Sequence, residues 1–253
     1  MNAIKLILLC LLPFAMASCM DTREEVVVKK DGSGTLVMKT DMGKMVEMMK
    51  SFAGDSDLQK QGLDKPFDTT MLLKSYVDTA KDIPTDKKAA LRDGKLHLIL
   101  NVKENIGKFD MLFPFKSGEQ LALLYESMGS AAGGLKGMMG NKGPEAAQQT
   151  DDKGLPQITS VYDITLKNGV YSRKVNKERY DAFTQVMKLD QLKQMSSMLG
   201  AMNYTFVITL PQPIKKSSNA KATLSADKKT ATLSADLLEA FEHPELLELE
   251  LEY

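Results

Sequence analysis

Tryptophan is absent from this chain, and histidine and cysteine each occur only twice in 253 residues. Each scarcity closes off a chemistry. Without tryptophan, and with 17 methionines, the composition favours adaptable packing over rigid aromatic recognition. Cys10 lies inside an apolar N-terminal run that is expected to be removed. Cys19 is then the one thiol of the mature chain, no disulfide can form, and stability must come from a packed core. His97 lies opposite Leu96, Leu98 and Leu100 in a strand-like run, and His243 precedes Pro244 in a loop. Neither histidine belongs to a His-x-x-x-His or Glu-x-x-His spacing, so no metal site is nominated. No charge of one sign dominates either, with 33 basic and 33 acidic residues. Taking away residues 1–18, whose single charged group is Lys5, leaves a net charge of one acid. Such a chain has no electrostatic footprint for nucleic acid. After the N-terminus no apolar run approaches the ~20 residues that cross a bilayer as a helix.

Catalytic signatures are missing as well. There is no Gly-x-Ser-x-Gly elbow, P-loop or dinucleotide fingerprint. Asp55-Ser56-Asp57 opens like a calcium loop, but Pro66 stands where the bidentate glutamate should fall. The Gly-x-y triplets starting at Gly134, Gly137, Gly140 and Gly143 are too few and too poor in proline for collagen. No catalytic, cofactor-binding or metal-binding residue can be named, and the chain reads as a protein that is not an enzyme and needs no cofactor.

What is present begins at the N-terminus. A start bearing Lys5 leads into an apolar run ending at Ala17, and Ala17-Ser18-Cys19 closes it. A basic end, a short apolar core and small residues before the cut make a cleavable secretory signal over residues 1–18. A cysteine directly after it makes a lipobox, with Met16 in place of the usual leucine, so lipidation of Cys19 is expected. Acyl chains contribute about 0.8 kcal/mol per buried methylene, so a di- or triacylated cysteine would hold the protein on a bilayer. Residues 19–24 then read as a solvated tether. Met20 stands where inner-membrane lipoproteins carry aspartate, which directs the chain to the outer membrane and leaves its leaflet open.

From residue 25 to 253 the pattern is one domain of strands and helices. Glu25–Lys30 and Thr35–Thr40 flank the turn Asp31-Gly32-Ser33-Gly34 as a hairpin. Asp41–Phe52 spaces Met42, Met45, Met48, Met49 and Phe52 along one helix face. Ala53–Phe67 is polar and reads as a loop. A helix is expected from Asp68 through Ala80, with Thr85 capping a shorter one over Lys87–Arg92. Lys95–Val102 and Phe109–Phe115 form an antiparallel pair, and Ser117 with Gln120 caps a helix over Glu119–Met128. Gly129–Leu155 looks like a flexible glycine-rich loop. Asn168-Gly169 joins Ile158–Leu166 to Val170–Lys174 in the clearest hairpin signal of the chain, and Asn176 caps a helix to about Leu199. Tyr204–Leu210 alternates buried and wet positions. Ala220–Ser225 and Thr230–Ala235 make a third hairpin, and Leu247–Tyr253 is a terminal strand with an acidic outer face. Hairpins interleaved with helices give an α+β fold: a mainly antiparallel sheet with helices packed on one face.

Two groups of residues suggest contact with an apolar ligand or a membrane. Leu135, Met138 and Met139 put apolar side chains in the glycine-rich segment, as in a lid or flap. Met187, Met195 and Met198 lie on the apolar side of the helix after Asn176. They read as core, or as the lining of a cavity for an acyl chain between helix and sheet. Lys215, Lys216, Lys221, Lys228 and Lys229 cluster around two turns, as a solvated face or a contact for anionic headgroups. Asp68-Thr69-Thr70 and Asp78-Thr79-Ala80 match a three-residue O-glycosylation pattern at Thr69 and Thr79.

The lipobox, the opening Asp31-Gly32-Ser33-Gly34-Thr35, and Leu210-Pro211 leading to Ser218-Asn219 and the hairpin Ala220–Ala235 resemble outer-membrane lipoproteins of the Bacteroidota. Arg23-Glu24-Glu25 is similar to their surface-export tags. The Leu-Pro and polar-hairpin ending is distantly similar to the mycobacterial LppM-like lipoproteins, a resemblance that implies lipid binding by the folded domain. Together these features imply a lipid-anchored envelope protein that works as a non-catalytic binding or interaction module. The alternative is a carrier or sensor of a lipid or another apolar ligand, held in a cavity between helices and sheet. The partners implied are a membrane through the anchor and a lipid or an envelope protein.

Overall fold

The computed structural model describes residues 20–52, 54–60, 62–81, 83–139, 158–187, 189, 193 and 200–253. Two sheets organise them. The large one has eight strands in the order β10-β11-β8-β1-β2-β5-β4-β3. They are β1 (Met20–Val28), β2 (Gly34–Asp41), β3 (Phe67–Leu72), β4 (Lys95–Asn101), β5 (Ile106–Phe115), β8 (Met202–Thr209), β10 (Thr223–Leu224) and β11 (Thr230–Asp236). The small sheet runs β6 (Tyr162–Lys167), β7 (Val170–Val175), β12 (Leu249–Glu252), β9 (Lys216–Ser217). Every pairing is antiparallel except β1 with β8, in which Met20 lies opposite Met202 and Val27 opposite Thr209. The fold is α+β and mainly antiparallel, as the alternation of hairpins and helices implies.

Hairpin turns fall where the turn chemistry requires them. Asn168 and Gly169 both take positive φ, 54° and 73°, the mirror-image turn that matches strand twist. Gly32 does the same at 80° between β1 and β2.

Seven α-helices accompany the strands among the described residues: α1 (Gly43–Phe52), α2 (Asp55–Lys60), α3 (Lys74–Thr79), α4 (Thr85–Leu91), α5 (Gly118–Met139), α6 (Lys177–Val186) and α7 (Leu237–Glu242). The small sheet lies on one face of the large one, with Tyr171 of β7 stacked on Phe206 of β8 at 6.1 Å between ring centroids. Leu121, Leu124, Tyr125 and Met128 of α5 are buried in the same core, as are Leu73, Val77 and Leu91 from α3, α4 and the residue before α3. A smaller apolar cluster of Val46, Leu58, Leu63 and Val102 sits beneath α1 and α2.

Several expectations are corrected. Residues 20–24 are no tether: they begin β1, hydrogen-bonded between β2 and β8. Phe67–Leu72 is a strand instead of the first turns of a helix, because Phe67, Thr69 and Met71 alternate with exposed Asp68, Thr70 and Leu72 and pair with β4. The β-branched Thr69-Thr70 suits that pleat. The helix there shrinks to α3, and Thr79, its last residue, bonds its hydroxyl to Ser75 and Tyr76 carbonyls. Pro84, not Thr85, precedes α4, and no side chain caps it. The helix after Ser117 continues to Met139, so the first part of Gly129–Leu155 is regular, while residues 140–157 lie outside the described residues. Asn176 caps α6 by accepting from Arg179 N at 3.0 Å. That helix stops at Val186, because buried Met187 turns extended at ψ 116°. The terminal strand β12 pairs with β7 and β9 and so builds a second sheet in place of completing the first.

Candidate functional site

Strand alternation explains the most unusual feature of the interior. In β1, Glu24 shares a face with Val26 and Val28, and all three are buried. In β7, Tyr171 and Arg173 share the buried face. The two faces oppose each other, so the charges meet between the sheets. Arg173 Nη1 donates to Glu24 Oε1 at 2.7 Å, and both side chains have no exposed surface. The hydroxyls of Tyr125 from α5 and Tyr204 from β8 donate to the same carboxylate, one to each oxygen. The guanidinium carbon lies 3.8 Å from the ring centre of Tyr162 and 4.5 Å from that of Phe206. Arg173 Nε and Nη2 find no acceptor among the described residues. Stacking on aromatic faces is the compensation a guanidinium can use there.

Electrostatics follow from the burial. It pushes the hydroxyls of Tyr125, Tyr162, Tyr171 and Tyr204 up from their ordinary value. The Glu24 carboxylate adds to this at Tyr125 and Tyr204, whereas Arg173 works against it at Tyr162 and Tyr171. For Arg173 burial opposes the charge, but Glu24 and the tyrosine oxygens outweigh it and hold the guanidinium protonated. The cluster is sealed from solvent, so its groups are engaged with one another. Its chemistry is that of a clamp between sheets.

A cavity of about 460 Å³ opens beside the small sheet, lined by groups that include Lys174, Ser218, Asn219, Glu248, Leu249 and Glu250. Its polar groups are already engaged. Glu250 pairs with Lys174 at 3.2 Å, Glu248 Oε1 accepts from Val175 N at 2.8 Å, and Asn219 Nδ2 donates to the carbonyls of Leu246 and Glu248. Among the described residues no three His, Cys, Asp or Glu side chains come together as a metal site. His97 bonds exposed Asp68 across the β3–β4 pair at 2.8 Å, and His243 bonds Glu245 at 3.2 Å. Both arrangements are surface pairs. No described helix is long and apolar enough to cross a membrane.

Of the apolar contact residues singled out by sequence, the structure describes the side chain of Met187 alone. Leu135, Met138 and Met139 fall on the last turns of α5, and their side chains lie outside the described residues. Met195, Met198 and Cys19 lie outside them as well. Met187 is buried in the main core with Phe183 and Phe241. Thr69 is half-buried in β3. Sequence reading passed over Glu24, Tyr125, Arg173 and Tyr204. The available signal was a charged residue at an inward position of an alternating strand: Glu24 in step with Val26 and Val28, and Arg173 in step with Tyr171 and Val175.

Comparison with known proteins gives little to lean on. No protein-family model and no curated protein matches the chain. It is similar to the folded domain of LppM from Mycobacterium tuberculosis, solved by NMR, at 8% identity and a TM-score of 0.37, over 93% of this chain and 91% of that one. A likeness of that depth leaves function to be argued from the chain's own residues.

Proposed function

We propose that this chain is an envelope lipoprotein, held at the outer membrane by an acylated Cys19, and that it works as a non-catalytic module binding a protein partner. The observation that carries the binding role is the outer face of the large sheet. Among the described residues, side chains of β1, β2, β5, β8 and β11 that point away from the core are half-buried or exposed, apart from buried Val207. Val27 and Leu112 stay 41% and 37% exposed there. Leu112 stands opposite Val37, and Val27 opposite Thr35 and Thr209. Beside this apolar strip Glu25 bridges Arg23 at 2.5 Å and Lys39 at 3.1 Å. Hydroxyl pairs edge it, Thr209 with Thr230 at 3.0 Å and Thr205 with Ser234 at 3.2 Å. An apolar strip rimmed by charges and hydroxyls has the composition of a protein-binding surface. The opposite face supports a module over a carrier to this extent: the Glu24–Arg173 cluster fills the space between the two sheets and leaves no room for an apolar ligand there.

Labelled palmitate should enter the protein and be lost with Cys19→Ala. A photo-crosslinking residue at Val27 should give a discrete adduct in intact cells, weakened by Arg23→Glu, while one at exposed Lys167 of the small sheet gives none. Recovery of one equivalent of lipid in an organic extract of the chain lacking residues 1–19 would replace the module with a carrier.

A further inference from the structure

We infer that α1 is a membrane-contact helix, lying flat against the bilayer to which Cys19 is anchored. The inference rests on the acylation proposed above and adds how the body sits. The anchor has no slack. Cys19 precedes Met20, the first residue of β1, so its backbone is about 3.8 Å from a paired strand. The acyl chains therefore leave directly from the end of the large sheet, and that end must touch the membrane.

The register identifies what else lies at that end. Asp21 pairs with Asp41, the last residue of β2, and Asp41 pairs with Lys108 near the start of β5. Helix α1 follows two residues after Asp41. Adjacent strands are about 4.8 Å apart, so the start of α1 lies within roughly 10 Å of the anchor. The helix is then tied across the sheet end at both of its own ends. Asp41 Oδ1 accepts from Gly43 N at 2.9 Å, and Lys50 Nζ donates to the carbonyl of Lys103, in the β4–β5 turn, at 2.9 Å. A helix spanning the strand ends runs parallel to a bilayer on which those ends rest.

Its side chains divide accordingly. Val46 and partly buried Met49 pack inward with Leu58, Leu63 and Val102. Met45, Met48 and Phe52 recur at three- and four-residue spacing beside that packed stripe. The two methionines are half-buried, and Phe52 is 77% exposed. This apolar arc exceeds what the fold covers, as in helices that lie in the interface plane. Charge does not drive the contact, since Lys44, Lys50, Lys103 and Lys108 are matched at this end by Asp21, Asp41, Glu47 and Glu104. The lysines around Lys228 and Lys229 pair with the opposite end of β8, roughly 25 Å of strand away. They face away from the anchoring membrane.

The test uses the acylated full-length protein, where lipidation leaves an introduced cysteine as the free thiol. Phe52→Cys and, at the far β1–β2 turn, exposed Lys30→Cys would each carry an environment-sensitive dye and be placed on phosphatidylcholine vesicles. Flotation establishes anchoring. The dye at 52 should shift to shorter emission wavelength and be quenched several-fold more strongly than the dye at 30 by nitroxide-bearing acyl chains. A protein that floats while position 52 stays as wet as position 30 overturns the contact and leaves the anchor standing. A protein that does not float removes the anchor, and this inference with it.

Discussion

Arg173 of the small sheet and Glu24 of the large one share a 2.7 Å charge-assisted hydrogen bond with no solvent on either side. The contact links two sheets that the backbone never hydrogen-bonds together. Desolvating both ions is costly, and their mutual attraction repays it only when further hydrogen bonds complete the geometry. The hydroxyls of Tyr125 and Tyr204 supply those bonds to the carboxylate, and three aromatic rings enclose the guanidinium.

The pair should therefore be fragile to single changes and tolerant of a matched one. Glu24→Gln or Arg173→Met leaves an uncompensated buried group and should cost about 3–5 kcal/mol. Replacing the cluster as a unit, Glu24→Leu with Arg173→Met, Tyr125→Phe and Tyr204→Phe, should recover much of that loss, since no buried charge and no orphaned Tyr125 or Tyr204 hydroxyl then remains. Urea unfolding followed by circular dichroism measures all three. Single variants within about 1 kcal/mol of the parent would mean the sheets are held by apolar packing alone.

The same cluster fixes the alkaline limit of stability. Burial raises six of the seven tyrosine hydroxyls above their ordinary value of 10.0, and four of them, Tyr125, Tyr162, Tyr171 and Tyr204, belong to this cluster. A raised folded value means stability is fully present below pH 10 and is lost as pH climbs toward the folded values. Above pH 10 each tyrosine of the cluster should subtract about 1.4 kcal/mol per pH unit, because only the unfolded chain releases its proton. Tyrosinate absorbance should therefore rise in two phases, an early reversible one and a late one coincident with loss of far-ultraviolet circular dichroism. A single smooth titration with the fold intact would contradict the sealed cluster.

Local signals in the sequence foretold local structure. The turns at Gly32, Asn168-Gly169 and Lys228 all join strands, and Asn176 caps its helix, because each depends on a few adjacent residues. What could not be read was pairing at a distance. Nothing in Met20–Val28 says that β8, some 180 residues later, will lie parallel to it, or that β12 will join β7. For the same reason Glu24 looked like part of a solvated run, since its partners Tyr125, Arg173 and Tyr204 come from three distant segments. The helix expected over Asp68–Ala80 failed on a related ambiguity. Leu72, Tyr76 and Ala80 fit a four-residue spacing, but β4 offered Phe67–Leu72 an edge to pair with.

Two glycines in the first hairpin, alike in sequence, should respond differently to alanine. At Gly32 the backbone has φ +80° and an added Cβ meets nothing within 4 Å. The cost there is the left-handed conformation alone, about 1–2 kcal/mol. Gly34 lies on β2 between Val28 and Phe115. A Cβ on it would come 1.9 Å from the Val27 carbonyl oxygen and 2.4 Å from the Phe115 ring. The ring can tilt, but the carbonyl belongs to β1 and cannot withdraw without breaking the β1–β2 ladder. Overpacking against fixed backbone should cost about 3 kcal/mol or more. Chemical denaturation of Gly32→Ala and Gly34→Ala should thus rank Gly34→Ala as clearly the less stable, with amide exchange in β1 accelerated in that variant only. Equal losses from the two would mean β1 and β2 lie farther apart at Gly34 than the register requires.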